Sequence, residues 1–242
     1  RQIQYNPYPK ENEINHAETH IKNIVLNFLP SVLNNLNISL ENILQTIEKE
    51  FGKNFLIIGI TSNKKRQIQY NPYPKENEIN HAETHIKNIV LDFLPSVLNH
   101  LNVNFENTNQ IVAGASMGGL MSIKTSILFP QFKNIISLSP AFWFGYPKVL
   151  NDVKNLSNES STYLYTGKKE GHIFGDHVKN IFPNNWDLDF SNNDDFYYSG
   201  VKNIKDSFDS NNKKVIFSFQ DNGRHNETSW ATAILEILGK LI

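Results

Sequence analysis

Gln110-Ile-Val-Ala-Gly114-Ala-Ser116-Met-Gly118-Gly-Leu120 is the stretch on which the fold turns. A β-branched apolar run ends in Gly114-Ala115-Ser116-Met117-Gly118, and an amphipathic helical pattern follows at once. A serine between two such glycines, where a strand gives way to a helix, is the arrangement that holds a nucleophilic hydroxyl exposed on a strained elbow. The glycines two before and two after Ser116 keep the turn free of side-chain clashes. N–H groups at the start of the helix point at any negative charge developing beside the hydroxyl. The competing reading, a merely tight-packed turn, explains the glycines but not the serine between strand and helix.

Working outward, apolar runs recur at 55–60, 110–115, 135–140, 162–166 and 214–220. Helical patterns at 43–51, 82–101, 117–129, about 200–210 and 229–242 separate most of them. Strands alternating with helices predict a mostly parallel central sheet with helices on both faces. In such sheets the functional rim lies at the carboxyl ends of the strands. That rim gathers 62–66, Ser116, 141–144, 167–171 and 222–225. Within 82–101 one apolar stripe runs through Ile86, Ile89, Val90, Phe93, Leu94, Val97, Leu98 and Leu101. Pro95 is expected to kink this helix or end its first half.

At 242 residues the chain is long enough for one α/β domain with a sizeable core. A net charge of −1 without a basic block argues against a nucleic-acid partner. The absence of cysteine removes thiol catalysis, disulfides and thiolate metal sites, and fits a cytoplasmic setting. No apolar run approaches the roughly 18 residues of a membrane span, and no signal peptide is visible. The chain opens on Arg1 rather than Met, so the natural start is expected to lie elsewhere. Paired asparagines such as Asn184-Asn185 and Asn211-Asn212 read as compositional bias.

A serine nucleophile needs a base, and the base an orienting acid, in the chain order serine, acid, histidine for this architecture. His225 follows the last predicted strand in Gln220-Asp-Asn-Gly-Arg-His225, where a loop can hang an imidazole over the elbow. His172 and His177 fall in a polar insertion and read as surface or rim residues. Glu170, just past the strand 162–166, is the best-placed acid, with Asp176, Asp194 and Asp195 as alternatives. Asp221 lies in the same loop as His225, too near to orient the ring easily. His81-Ala-Glu83-Thr-His85 has two histidines at zinc-ligand spacing, but its glutamate lies on another face and no third ligand is apparent. It is expected to be a surface cluster at a helix start, so no metal and no cofactor are expected.

Four segments in order carry a resemblance: Gly114-Ala-Ser-Met-Gly-Gly119, Ser139-Pro-Ala-Phe-Trp143, Tyr165-Thr-Gly-Lys-Lys-Glu170 and His225-Asn-Glu-Thr-Ser-Trp230. Together they resemble the putative-esterase family of α/β-hydrolases, which includes enterochelin esterases, S-formylglutathione hydrolases, feruloyl esterases and mycolyltransferases. Ser-Met-Gly-Gly and the His-Asn…Trp ending look most like the siderophore-esterase and general-esterase branch. The resemblance covers 55–242. It implies Ser116 as nucleophile, His225 as base, Glu170 as acid and the Met117 N–H as one oxyanion donor. It also implies Arg66 and Trp143 as substrate contacts, the first for an acidic or catecholate group and the second as an aromatic wall. Loop packing explains either residue equally well.

One feature stands apart. Residues 1–42 recur at 66–107, and Arg1–Leu26 is identical to Arg66–Leu91. Downstream the copies differ at Asn27/Asp92, Asn35/His100, Ile38/Val103, Ser39/Asn104 and Leu40/Phe105. A single near-identical pair is not a solenoid. The expected organisation is a duplicated N-terminal segment, 1–42, without an assignable role, followed by an α/β-hydrolase domain at 43–242. In the family pattern 55–60 matches the fourth strand and 110–115 the fifth. The third strand, whose following loop gives the second oxyanion N–H, belongs between them. The first copy stands in that place but reads as a helix, so the N-terminal strands are expected to be missing or replaced. A rearranged or incorrectly recorded N-terminus is the preferred account, ahead of a strand donated by a partner chain or a broken enzyme. The function expected is a serine carboxylester hydrolase acting through an acyl-enzyme on a small or siderophore-type ester. The alternatives are a catalytically impaired hydrolase-fold binding protein and an acyltransferase.

Overall fold

The computed structural model describes residues 2–4, 23–28, 49, 55–60 and 66–241. Among these, seven strands form one sheet: β1 (Gln2–Gln4), β2 (Asn23–Phe28), β3 (Phe55–Ile60), β4 (Asn109–Ala115), β5 (Asn134–Leu138), β6 (Ser161–Gly167) and β7 (Lys214–Gln220). Their order is β1-β3-β2-β4-β5-β6-β7, with every neighbouring pair parallel. The five longer helices are α1 (His81–Asn88), α2 (Leu94–His100), α3 (Met117–Leu128), α4 (Asn193–Ser210) and α5 (Glu227–Leu241).

Strand alternation divides the core between the two faces of the sheet. Leu56, Ile58 and Ile60 of β3 and Val112 of β4 pack with Ile86, Val97, Leu120, Met121, Val201 and Ile204 from α1 to α4. Phe55 and Ile57 of β3 and Ile111, Ala113 and Ala115 of β4 point the other way, onto Trp230, Ala233, Ile237 and Leu238 of α5. The expected α/β-hydrolase architecture, a parallel sheet with helices on both faces, is what the chain adopts.

The expectation for the N-terminus is corrected. The slot between β3 and β4 holds β2, drawn from the first copy, with Val25 opposite Ile57 on one side and Ile111 on the other. Asn23–Phe28 is therefore strand, not helix, and the family's third-strand position is filled from within the chain. The same letters in the second copy, Asn88-Ile-Val-Leu, end α1 and enter a widened helical turn, Ile89–Phe93. Likewise Gln2–Gln4 is strand whereas Arg66–Gln69 is one turn of helix. Burial follows the conformation. Ile24 and Val25 point to opposite faces of the sheet, as adjacent strand residues must, whereas Ile89 and Val90 share one cluster, as adjacent helix residues can. A run rich in Ile, Val and Leu satisfies both geometries, so neighbouring strands, not local propensity, settle it.

Pro95 acts as expected. It lacks an N–H and would crowd the carbonyl one turn back, and the helix answers by widening at Ile89–Phe93, where the Leu94 N–H reaches the Ile89 carbonyl. Pro95 then sits in the first turn of α2. The helix expected at 43–51 lies outside the described residues except for Lys49, which is helical, and so do rim positions 62–65.

Candidate active site

The rim is assembled by backbone hydrogen bonds that step from strand end to strand end. The Ser116 N–H donates to the Leu138 carbonyl (2.9 Å), tying the end of β4 to β5. One strand on, the Ser139 N–H donates to the Tyr165 carbonyl (2.7 Å). Beyond β6, Lys168 N–H reaches the Gln220 carbonyl (3.0 Å) and Lys169 N–H the Gly223 carbonyl (2.9 Å). These ties bring Ser116, Ser139, Glu170 and His225 to one edge although they span more than a hundred residues of chain.

Ser116 occupies the elbow between β4 and α3 with φ 58° and ψ −123°, a left-handed conformation unusual for a residue with a side chain. The turn is so tight that a Cβ on Gly114 would lie 2.1 Å from the Gly118 carbonyl oxygen. Glycine at 114 is thus a requirement of close approach. The Ser116 carbonyl accepts the N–H groups of Gly119 and Ala141 (3.0 Å each), which pins the elbow to the segment after β5. Met117, the first residue of α3, has its N–H among those that lack an acceptor within the helix. Residues 29–48, which follow β2, lie outside the described residues.

His225 projects from the turn between β7 and α5. Its Nε2 lies 3.0 Å from Ser116 Oγ, and its Nδ1 lies 2.8 Å from Glu170 Oε2. A carboxylate only accepts, so Nδ1 carries the ring proton and Nε2 is free to accept from the serine hydroxyl. The imidazole is held edge-on by Trp230 (centroids 4.9 Å, 85°) and flanked by Tyr197 (5.4 Å). Glu170 is fully buried. Its Oε1 accepts from the Ser139 hydroxyl (2.7 Å) and from the Gly167 N–H. Two phenols stand close by. Burial and the Glu170 charge push the Tyr165 hydroxyl up to about 12 and the Tyr197 hydroxyl well above its ordinary value, so both remain donors.

The structure thus brings together Ser116, His225 and Glu170 and leaves the other acids elsewhere. Asp194 accepts from the Gly171 N–H (2.8 Å), Asp176 from the His177 N–H (2.6 Å) and Asp195 from Asn192 (2.6 Å). Asp221 pairs with Lys168 (2.8 Å). His172 and His177 are exposed, the latter capping the short helix Val178–Ile181. In the His81–His85 segment, His81 is exposed at the start of α1 and Glu83 pairs with Lys124 (3.2 Å). His85 is partly buried, and burial holds its imidazole below the usual histidine range.

Arg66 lies half-buried at the start of the single helical turn Arg66–Gln69, its guanidinium 4.8 Å above the Tyr70 ring. Burial lowers its pKa, partly offset by Tyr70. Tyr70 in turn donates to the Ile60 carbonyl (2.8 Å) at the end of β3. Trp143, in the turn Phe142–Phe144, packs edge-on against Phe174 (5.1 Å) and Tyr197 (5.5 Å), one ring removed from His225. Sequence reasoning gave no role to Ser139 or Tyr197. Ser139 opened a recognisable Ser-Pro-Ala-Phe-Trp segment, whereas nothing local marks Tyr197, which acts from the middle of α4.

The putative-esterase family model matches residues 37–241. A search of curated protein sequences found no match. Among solved structures the chain is similar to the siderophore hydrolase EstA from Aspergillus nidulans, with a TM-score of 0.63 and 14% identity over 93% of this chain and 85% of that one. It is also similar to the enterobactin esterase FES from Shigella flexneri, solved in the presence of enterobactin (TM-score 0.61, 14% identity). That alignment covers 94% of this chain but 52% of the Shigella protein, so the chain spans about half of its length. A ferulic acid esterase aligns at a TM-score of 0.60 and 12% identity over 93% of this chain and 85% of that one. Matched by the family model along most of its length, and built on the sheet these esterases share, the chain belongs to the putative-esterase family of α/β-hydrolases.

Proposed function

We propose that this chain is a serine carboxylester hydrolase that works through an acyl-enzyme. The observation that carries the reading is the continuous hydrogen-bonded line from Ser116 Oγ through the His225 ring to the buried Glu170 carboxylate. As Ser116 Oγ attacks the ester carbonyl carbon, His225 Nε2 takes the hydroxyl proton. The ring then returns that proton to the departing alkoxide as the ester C–O bond breaks. Water, deprotonated in its turn by Nε2, attacks the acyl-enzyme; the acyl C–Oγ bond then breaks, Nε2 returns the proton to Ser116 Oγ, and the acid is released. Glu170 keeps Nδ1 protonated and stabilises the imidazolium formed at each stage. The Met117 N–H faces the carbonyl oxygen as it becomes an oxyanion.

The substrate proposed is a small or siderophore-type ester. Siderophore and enterobactin hydrolases among the similar structures support this reading, as do two candidate contacts on the chain. Arg66 suits an acidic or catecholate group, and Trp143 supplies an aromatic surface one ring from His225. Among the described residues no helix is long and apolar enough to cross a membrane, and a cysteine-free chain suits the cytoplasm.

The test is labelling by a fluorophosphonate probe, which reacts with a serine whose base is assembled. Labelling of the protein but not of Ser116→Ala is expected, followed by hydrolysis of trilactone, feruloyl or short acyl esters. A folded protein that fails to label would instead be a hydrolase-fold binding protein.

A further inference from the structure

Glu170 can orient His225 only if its own two oxygens are told apart, and one buried side chain supplies that distinction. We propose that Ser139, aimed by the Trp230 indole, is the positioning residue that reserves Glu170 Oε2 for His225. The proposal rests on the serine-hydrolase reading above.

The direction of each hydrogen bond follows from the donor inventory. An indole N–H only donates. Trp230 Nε1 lies 2.9 Å from Ser139 Oγ, so the hydroxyl oxygen accepts there. Its single proton is thereby turned toward Glu170 Oε1, 2.7 Å away. Oε1 also accepts the Gly167 N–H, so two donors hold it. Oε2 is left to His225 Nδ1 at 2.8 Å.

The backbone is arranged to keep the hydroxyl in place. Ser139 has φ 43°, a left-handed conformation that is strained for a residue with a Cβ. Three backbone interactions of this segment hold it there. Its N–H donates to the Tyr165 carbonyl (2.7 Å), and the Tyr197 hydroxyl donates to the Ser139 carbonyl (2.6 Å) and more weakly to that of Pro140 (3.3 Å). Trp230 also meets the His225 ring edge-on at 4.9 Å. One indole therefore supports the base directly and the acid through Ser139, and the two are oriented together.

Two variants test this. Ser139→Gly removes the hydroxyl while suiting a positive φ, so the backbone is relieved rather than broken. Trp230→Phe keeps a ring against His225 and leaves the Ser139 hydroxyl without its director. For Ser139→Gly, kcat is expected to fall about ten- to a hundredfold, the loss typical of a hydrogen bond to a charged group, with KM changed less than about twofold. Trp230→Phe should give a smaller fall of the same kind. The low-field proton resonance of His225 Nδ1–H, assigned in histidine-labelled protein, should shift or broaden in both variants. A purely structural role would lower stability and leave that resonance in place. Wild-type kcat in folded Ser139→Gly, or an unchanged resonance, overturns the positioning role whatever the substrate. Labelling that survives in Ser116→Ala overturns the serine-hydrolase reading alone, because the resonance reports the Glu170–His225 bond without any ester.

Discussion

Glutamine in place of Glu170 keeps the shape of a fully buried side chain and exchanges one acceptor oxygen for a donor nitrogen. The surroundings decide which way the amide faces. Oε1 receives two donors, the Ser139 hydroxyl and the Gly167 N–H, so the glutamine oxygen must take that place. Its NH2 then faces His225 Nδ1 and donates to it, and a ring nitrogen that accepts cannot carry the proton. The proton moves to Nε2, which no longer accepts from Ser116 Oγ 3.0 Å away. Every hydrogen bond around position 170 remains made, so the fold should hold while the base is in the wrong tautomer. The expected loss is about 10³–10⁴ in kcat, equivalent to roughly 4–5.5 kcal/mol of barrier, as in other triads with the acid converted to its amide. The assay is the second-order rate of fluorophosphonate labelling together with p-nitrophenyl acetate hydrolysis, with circular dichroism to verify folding. A folded Glu170→Gln protein within tenfold of the parent rate would refute the tautomer argument and demote Glu170 to a structural acid.

Three further outcomes are expected. Gly114→Ala puts a Cβ 2.1 Å from the Gly118 carbonyl oxygen, so the elbow must open; labelling of Ser116 should be lost and stability reduced by about 1–3 kcal/mol, measured by urea unfolding. Ile24→Ala should cost about 2–5 kcal/mol, since Ile24 is fully buried in a central strand, whereas Leu91→Ala, 59% exposed, should stay within about 0.5 kcal/mol. Equal shifts in Tm for that pair would mean that β2 does not occupy the sheet. Burial holds His85 below the ordinary histidine value of 6.5, and its Nε2 has no hydrogen-bond partner among the described residues. The unfolded chain therefore binds this proton more readily than the fold does, so stability is full above pH 6.5 and declines as pH falls below it. His85→Phe should flatten that part of a Tm-against-pH curve; a curve unchanged by the substitution would assign the acid sensitivity to other groups.

Where a segment's own letters dictated its state, the sequence was legible. The apolar runs near 55–60, 110–115, 162–166 and 214–220 became β3, β4, β6 and β7 almost residue for residue. The elbow at Ser116 and the loop position of His225 could be read because turn glycines and strand ends leave local marks. Legibility failed where the deciding partner is remote. Asn23–Phe28 is strand only because β3 and β4 offer two rows of backbone groups, and no property of the hexapeptide says so. Helix α4 begins at Asn193, ahead of the helical pattern near 200–210, where Asn192 caps it by accepting the Asp195 N–H (2.9 Å). Ser139 was visible as a letter in a familiar segment, yet its work depends on Glu170 and on Trp230, 91 positions onward.

The two copies carry a practical consequence for anyone who studies this chain by fragments. Peptides cut from within Arg1–Leu26 and Arg66–Leu91 have identical mass and retention, yet Asn23–Leu26 sits in a central strand and Asn88–Leu91 in a helix. Deuterium uptake, footprinting or crosslinking read at the peptide level would report an average of two environments that exists nowhere in the molecule. Fragments that reach Asn27 or Asp92, or that extend back to Lys65, carry a mass of their own and can assign a signal to one copy.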